Sequence, residues 1–288
     1  MTTKMTPLRK AMIDAMHARG FSPRTHESYL YAVSALAGYY HRRPDQLGAE
    51  QIAQFFEYLA NERDLSGASC RLYLNGVRFF YLQVLEWPSF DVVITIPKRA
   101  QRIPELLTRA EVAAIVGACA QGKHRTLLLT CYGCGLRVSE LVSLKVRHID
   151  GERELLRIEQ GKGAKDRQVI LPPELLQALR GYWRAYRPAK WLFPGRDPEK
   201  ALSIATPQKV FQQAKRRAGI EKVGGIHSLR HAYATHQLAN GMGLTQLQEQ
   251  LGHSHLRTTE RYYRQKVVMC WSATKALINN TSTRLITA

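Results

Sequence analysis

The sequence predicts a mainly α-helical protein in two domains, the second of which carries a small antiparallel β-sheet. Three observations support this. Apolar residues recur at helical spacing along most of the chain, only two short stretches read as strands, and the helical pattern lapses once, between Trp87-Pro88 and Leu106. A length of 288 residues suits two domains, each large enough to bury a core of its own.

Residues 1–98 read as a helical bundle. From Pro7 to Gly20, Leu8, Met12, Ile13 and Met16 fall at helical spacing and Gly20 is placed to end the helix; Ser22-Pro23 then supplies the N-cap and first-turn proline of a second. A third helix puts Ile52, Phe55, Phe56 and Leu59 on one face. A fourth, from about Ala68 to Leu85, is expected to bury Leu72, Val77, Phe80 and Tyr81. Pro97 and Pro104 then flank Lys98, Arg99 and Arg102, the composition of an extended basic linker, to about residue 106, that lies along phosphates.

Thr108 and Glu111 have capping-box spacing and open the second domain, 107–288. One helix ends near Gly133 to Gly135, and another runs through Leu144. Glu154 to Ile158 and Arg167 to Leu171 read as two strands joined by the turn Gly161-Lys162-Gly163-Ala164-Lys165-Asp166. Helices are expected over about Pro173 to Tyr186, Pro207 to Ala218, His227 to Ala239, Leu244 to Leu251 and Thr258 to Val268. A last amphipathic segment, Trp271 to Ile278, lies in the tail 271–288.

The charge balance narrows the partners. With 42 Lys plus Arg against 23 Asp plus Glu, the net charge is +19 and the pI is near 10, a field that attracts a polyanion. Nucleic acid fits better than membrane, because no apolar run approaches the ~18 residues of a spanning helix and the first residues lack an apolar signal core. A cytoplasmic, nucleoid-associated protein is expected. The five cysteines, Cys70, Cys119, Cys131, Cys134 and Cys270, are odd in number and scattered, so they read as reduced. Cys131 and Cys134 have the gap of a zinc half-site without a second pair, and buried thiols are the simpler reading.

Several residues are of types that can do phosphoryl chemistry. Arg137 follows the Gly135 break at a helix start, where it can meet a phosphate or equally pair with Glu140 one turn on. His227 and Arg230 lie three apart on one helix face and can touch one group. His227 and His231 have the i, i+4 spacing of two metal ligands, but no third stands at a recognisable offset, so no metal is expected. Lys162 tops the turn between two glycines, with Lys165 as its competitor for a proton-donating role. Tyr262 and Tyr263 point about 100° apart on a helix, so only one can attack a phosphorus.

In combination, Gly135-Leu136-Arg137-Val138-Ser139-Glu140, the 161–167 turn, His227-Ser228-Leu229-Arg230-His231 and the run from Leu251-Gly252-His253 to Tyr262 resemble the tyrosine recombinases, the lambda-integrase family. The likeness covers nearly the whole chain and is greatest to compact Xer-like and mobile-element integrases. It implies a C-shaped, two-domain clamp on DNA. It makes Arg137 and Arg230 the phosphate clamp, His227 the proton acceptor from the nucleophile, and Lys162 the acid for the leaving 5′-oxygen. His253 becomes a hydrogen-bond donor to a non-bridging oxygen, Tyr262 the nucleophile, and Glu140 a support. It further implies strand exchange through a 3′-phosphotyrosine, without metal, ATP or another cofactor.

The expected partner is double-stranded DNA with inverted-repeat core sites, bound by a homotetramer on synapsed DNA, with or without a second recombinase. The tail would dock into a neighbouring protomer. Arg24, Arg71 and Arg78 of the first domain, with Lys98, Arg99 and Arg102, are the candidate DNA contacts. The chain begins almost at its first domain, so the arm-site domain of many phage integrases is not expected. Two rivals are a type IB topoisomerase and a DNA-binding regulator without catalysis.

Overall fold

The computed structural model describes residues 5–96, 105–159, 166–260 and 262. The chain divides into two units, Met1–Arg102 and Ile103–Ala288.

In the first unit, α1 (Pro7–Ala18), α2 (Pro23–Tyr40), α3 (Ala49–Asn61) and α4 (Gly67–Gln83) form a bundle. The first two helices begin alike. The Thr6 and Ser22 side chains each accept from a first-turn amide, of Arg9 and Thr25, and a proline follows where its missing N–H costs nothing. The core gathers Met12, Met16, Leu36, Ile52, Phe55, Phe56, Val77 and Phe80. Tyr81, fully buried, donates its hydroxyl to the Pro44 carbonyl at 2.6 Å.

Leu72 departs from the expectation that it is buried; it is 44% exposed. The buried stripe of α4 runs through Cys70, Tyr73, Val77 and Phe80, and Leu72 stands about 100° round the helix from Tyr73. Arg71, Asn75 and Arg78 are also exposed, at i, i+4 and i+7 of α4.

The second unit starts with α5 (Arg109–Gly117), where the Thr108 hydroxyl accepts from Glu111 N and the Glu111 carboxylate accepts from Thr108 N. Lys222 anchors this helix start through the Leu106 carbonyl and Glu111 Oε2. Then come α6 (Gly122–Gly133), α7 (Val138–Val142), α8 (Pro173–Tyr186), α9 (Ala205–Arg217), α10 (His227–Ala239) and α11 (Leu244–Leu251). α9 begins two residues before Pro207, which occupies the first turn and breaks no hydrogen bond there. After α11 the chain is helical again over 256–260.

Between α7 and α8 lies a three-stranded antiparallel sheet in the order β1 (Ile149–Asp150), β2 (Leu155–Ile158), β3 (Arg167–Ile170). β1, two residues long, is too short to show a period in the sequence. Ile158 pairs with Arg167 and Leu156 with Val169. The sheet buries Leu156, Ile158 and Val169 against a core that includes Leu127, Leu128, Leu141, Leu179, Phe193 and Phe211. The turn carrying Lys162 and Lys165, the basic linker with Lys98, Arg99 and Arg102, Tyr263 and the segment Trp271 to Ile278 lie outside the described residues.

Cys131 and Cys134 are buried free thiols, and burial pushes both up to about 12, as core residues rather than reactive ones. No helix among the described residues is long and apolar enough to cross a membrane.

The capping box carries the first prediction. Thr108→Ala removes an acceptor from the α5 amides and should lower the unfolding free energy by about 1 kcal/mol, measured by urea denaturation of the full chain.

Candidate active site

Three arginines converge on one carboxylate. Glu140 in α7 is 5% exposed. Its Oε1 accepts from Arg137 Nη1 at 2.7 Å, and its two oxygens accept from Arg167 Nη1 and Nη2 at 2.8 and 2.9 Å, a bidentate fork. Oε2 also accepts from the Arg137 backbone N–H at 2.8 Å. Arg230 Nη1 stands 3.7 Å from the same oxygen. Burial alone would raise the Glu140 pKa; the Arg167 bonds and charge, the Arg137 amide and the Arg230 charge outweigh it and bring it down to about 2.

Backbone carbonyls accept from further guanidinium donors. Arg230, 1% exposed on α10, donates to the Gly135 and Leu251 carbonyls at 2.7 and 2.6 Å. Arg137 donates to the Gly252 carbonyl at 3.1 Å and Arg167 to that of Gln250 at 3.0 Å. Two of these carbonyls belong to glycines in the left-handed region, Gly135 at φ 58° and Gly252 at φ 61°. A Cβ on Gly135 would fall 2.4 Å from Tyr233 Cδ1, and one on Gly252 2.9 Å from Arg167 Cδ. Only glycine lets the chain turn here and pass so close. Burial, then the nearby Arg137 charge, lower the Arg230 pKa to about 10, which leaves it cationic at neutral pH.

His253 follows α11. Its Nε2 lies 3.1 Å from Arg230 Nη2 and its Nδ1 3.0 Å from Thr259 Oγ1. A guanidinium only donates, so Nε2 is the acceptor and Nδ1 carries the proton towards Thr259. The ring is neutral in this arrangement, consistent with a pKa near 4, lowered first by burial and then by Arg230, Arg137 and Arg167.

Tyr262 packs its ring among Tyr233, Leu238, Leu247 and Leu251 and is 5% exposed. The His253 ring lies nearly parallel to it, with centroids 6.1 Å apart. Its hydroxyl is 3.1 Å from His231 Nδ1. His227, exposed at the start of α10, sets its ring edge-on to His231 with centroids 4.5 Å apart. Its pKa is lowered by partial desolvation and then by Arg230 and Arg137, so it too is neutral at pH 7.

Of the residues singled out in the sequence, Arg137, Glu140, Arg230, His253 and Tyr262 therefore gather in one place, with His227 beside them. Lys162 falls outside the described residues. In the first unit Arg24 pairs with Glu27 at 2.9 Å on the surface, and Arg71 and Arg78 share the exposed face of α4.

Three participants escaped the sequence reading. Arg167 reads from the sequence as the end of the 161–167 turn motif and the start of a strand, with no site role, although it shares the inward parity of buried Val169; a charge on the inward face of a strand is the available signal. His231 lies within the His227–His231 motif but has no individual role in the sequence beyond its metal-pair spacing to His227, and no group of His, Cys, Asp or Glu able to hold a metal occurs among the described residues. Thr259, fully buried, carried no signal.

The Glu140 carboxylate gives a second prediction. Its folded pKa lies below the ordinary value of 4.5, so its contribution is complete above that value and is lost as pH falls from 4.5 towards 2. The contribution is a few kcal/mol, on the order of 3. Glu140→Gln should destabilise the chain at pH 6 by about this amount, with the difference from the parent shrinking by pH 3, as followed by urea denaturation.

Residues 103–268 match the Phage integrase family, and residues 8–89 match the Phage integrase N-terminal SAM-like domain. The protein y4qK of Sinorhizobium fredii, named as an integrase/recombinase, is 42% identical over 262 residues, covering 90% of this chain and 85% of the relative. Tyrosine recombinase XerA of Thermococcus onnurineus is 34% identical over 251 residues, covering 84% and 85%. Among solved structures, the XerH site-specific recombinase bound to its difH substrate before cleavage superposes with a TM-score of 0.69 at 21% identity, over 93% of this chain and 85% of that one. A buried arginine cluster beside a tyrosine, in a chain with these relatives, places this protein in the phage integrase family, the tyrosine-type site-specific recombinases.

Proposed function

We propose that this recombinase cuts and rejoins DNA strands through a 3′-phosphotyrosine on Tyr262, without metal or ATP. The observation that carries the reading is the convergence of Arg137 and Arg230 on Glu140 with His253 and Tyr262 beside them, from three separate stretches of chain. Three guanidinium charges against one carboxylate leave the cluster with two positive charges in excess. A phosphodiester cancels one of them. The phosphorane formed on attack, doubly negative, cancels both, so the site is matched to the transition state better than to the bound substrate.

In this reading Arg137 and Arg230 hold the non-bridging oxygens, each such contact being worth ~10²–10³ in rate. An arriving phosphate competes with His253 for the Arg230 donors. Thr259 Oγ1 can either accept from or donate to Nδ1; once it donates, Nε2 is free to carry a proton and donate to the phosphate. Glu140 orients the arginines. A histidine of α10 takes the phenol proton, a role the family likeness gives to His227, and Lys162 is the acid for the leaving 5′-oxygen. Because the phosphotyrosine conserves the phosphodiester bond energy, a 5′-hydroxyl of a partner strand can reverse the attack.

The partner is double-stranded DNA, and the solved XerH complex is of a relative on its own substrate. Inverted-repeat core sites and a homotetramer on synapsed DNA complete the proposal. The exposed α4 face of Arg71, Asn75 and Arg78 is its contact in the first unit, with Arg24, Lys98, Arg99 and Arg102 as further basic contacts.

The test is covalent capture. The chain is incubated in EDTA with nicked duplex fragments from the region around its own gene, denatured, and examined for DNA that stays attached. Adduct should form on particular fragments with the parent and with Tyr263→Phe, and vanish with Tyr262→Phe while DNA binding persists. Adduct with relaxation of supercoils but no strand exchange would indicate a topoisomerase instead. Binding without any adduct would indicate a regulator. Binding should also weaken steeply with salt, since log K falls linearly with log salt at about 0.9 per phosphate neutralised.

A further inference from the structure

Resting on that reading, we infer that His231 is the catalytic residue that holds the Tyr262 hydroxyl and takes its proton as the phenol attacks phosphorus. The family motif carries this duty at His227; the geometry of this chain puts it one turn further along α10.

Three observations support the assignment. His231 Nδ1 stands 3.1 Å from Tyr262 Oη, within range for direct transfer, and the two rings are 5.4 Å apart. The tyrosine ring is held on several sides, by Tyr233 and Leu238 of α10, by Leu247 and Leu251 of α11, and by the parallel His253 ring, so the direction of its hydroxyl is set by packing. Finally, His231 is the immediate neighbour of Arg230 on a helix whose hydrogen bonds fix both residues. The helix that delivers the phosphate clamp thus delivers the proton acceptor in register with it.

The chemistry balances. The Tyr262 Oη–P bond forms as the P–O5′ bond breaks. The phenol proton passes to Nδ1 of neutral His231, whose other ring nitrogen bears the N–H. The leaving 5′-oxygen collects a proton from a separate acid. On resealing, the imidazolium returns its proton to Tyr262. A phenol near pKa 10 does not yield its proton to an imidazole near 6.5 beforehand, so the transfer accompanies bond formation, and the Arg230 charge acts on Tyr262 to favour the oxygen's developing negative charge.

Among the described residues, charged and titratable groups beside this pair include His227, edge-on to His231, His253, stacked on Tyr262, and Arg230, whose charge acts on Tyr262. His227, exposed and edge-on to His231, stands on the solvent side of the acceptor.

The test follows single-turnover adduct formation on a captured nicked fragment, with DNA binding measured in parallel by gel shift. His231→Gln should bind DNA like the parent, form adduct ~10²–10⁴-fold more slowly, and lose the fall in rate that the parent shows as pH drops through the histidine range. His231→Ala should regain part of the rate when imidazole is added, whereas Tyr262→Phe should not. The proposal is overturned if His231→Gln keeps the parent rate and pH profile while His227→Gln loses them. It is equally overturned if imidazole fails to restore any of the rate lost in His231→Ala, because the residue then serves packing alone. Absence of adduct with the parent chain, or adduct with Tyr262→Phe, would instead remove the phosphotyrosine reading on which the inference stands.

Discussion

Like charges drawn out of water repel one another, and the buried Glu140 carboxylate is what lets Arg137, Arg167 and Arg230 share one largely buried site. The carboxylate is held ionised to about pH 2 because three cations surround it; the cations are tolerable because it is ionised. Removing either side would strand uncompensated charge in a region of low dielectric, a far larger penalty than losing a surface ion pair. The second unit's architecture serves this arrangement. α7 brings the carboxylate, β3 brings Arg167, α10 brings Arg230, and the end of α11 closes over them with its last carbonyls.

The same cluster governs the neutral residues beside it. Arg230 can only donate, so it dictates which nitrogen of His253 carries the proton, and Thr259, buried behind the ring, accepts whichever state results. Tyr262 reaches the cluster from the chain after His253, its ring wedged between α10 and α11. The Tyr262 hydroxyl is therefore located by apolar packing and the arginine cluster by ionic contacts, two kinds of force acting on separate segments that meet at one point.

The helices were legible because burial imposes a period on them, and the caps at Thr6, Ser22 and Thr108 are written in single residues. β1 was invisible because two residues hold no period, and Leu72 was misplaced because an apolar residue beside a buried stripe looks the same in sequence as one within it. The site was legible through its combination of motifs, since each arginine or histidine alone has a commonplace explanation. What the motifs did not give was geometry. Arg167 enters through strand parity and pairing to Ile158, and His231 through the direction of the Tyr262 ring, both products of folding. The partial positive charge of a helix start is a minor factor at Arg137 in a helix as short as α7, whose N-cap amide is taken by Glu140.

The carbonyls of Gly135, Gln250, Leu251 and Gly252 hold the three guanidinium groups through main-chain atoms. A main-chain acceptor is present whatever side chain its residue bears. The surrounding sequence can therefore drift while the arginines keep their acceptors. Only Glu140 and the two tightly turned glycines are exempt from that freedom. An engineer seeking a recombinase with altered targets would find wide latitude around this centre and almost none within it.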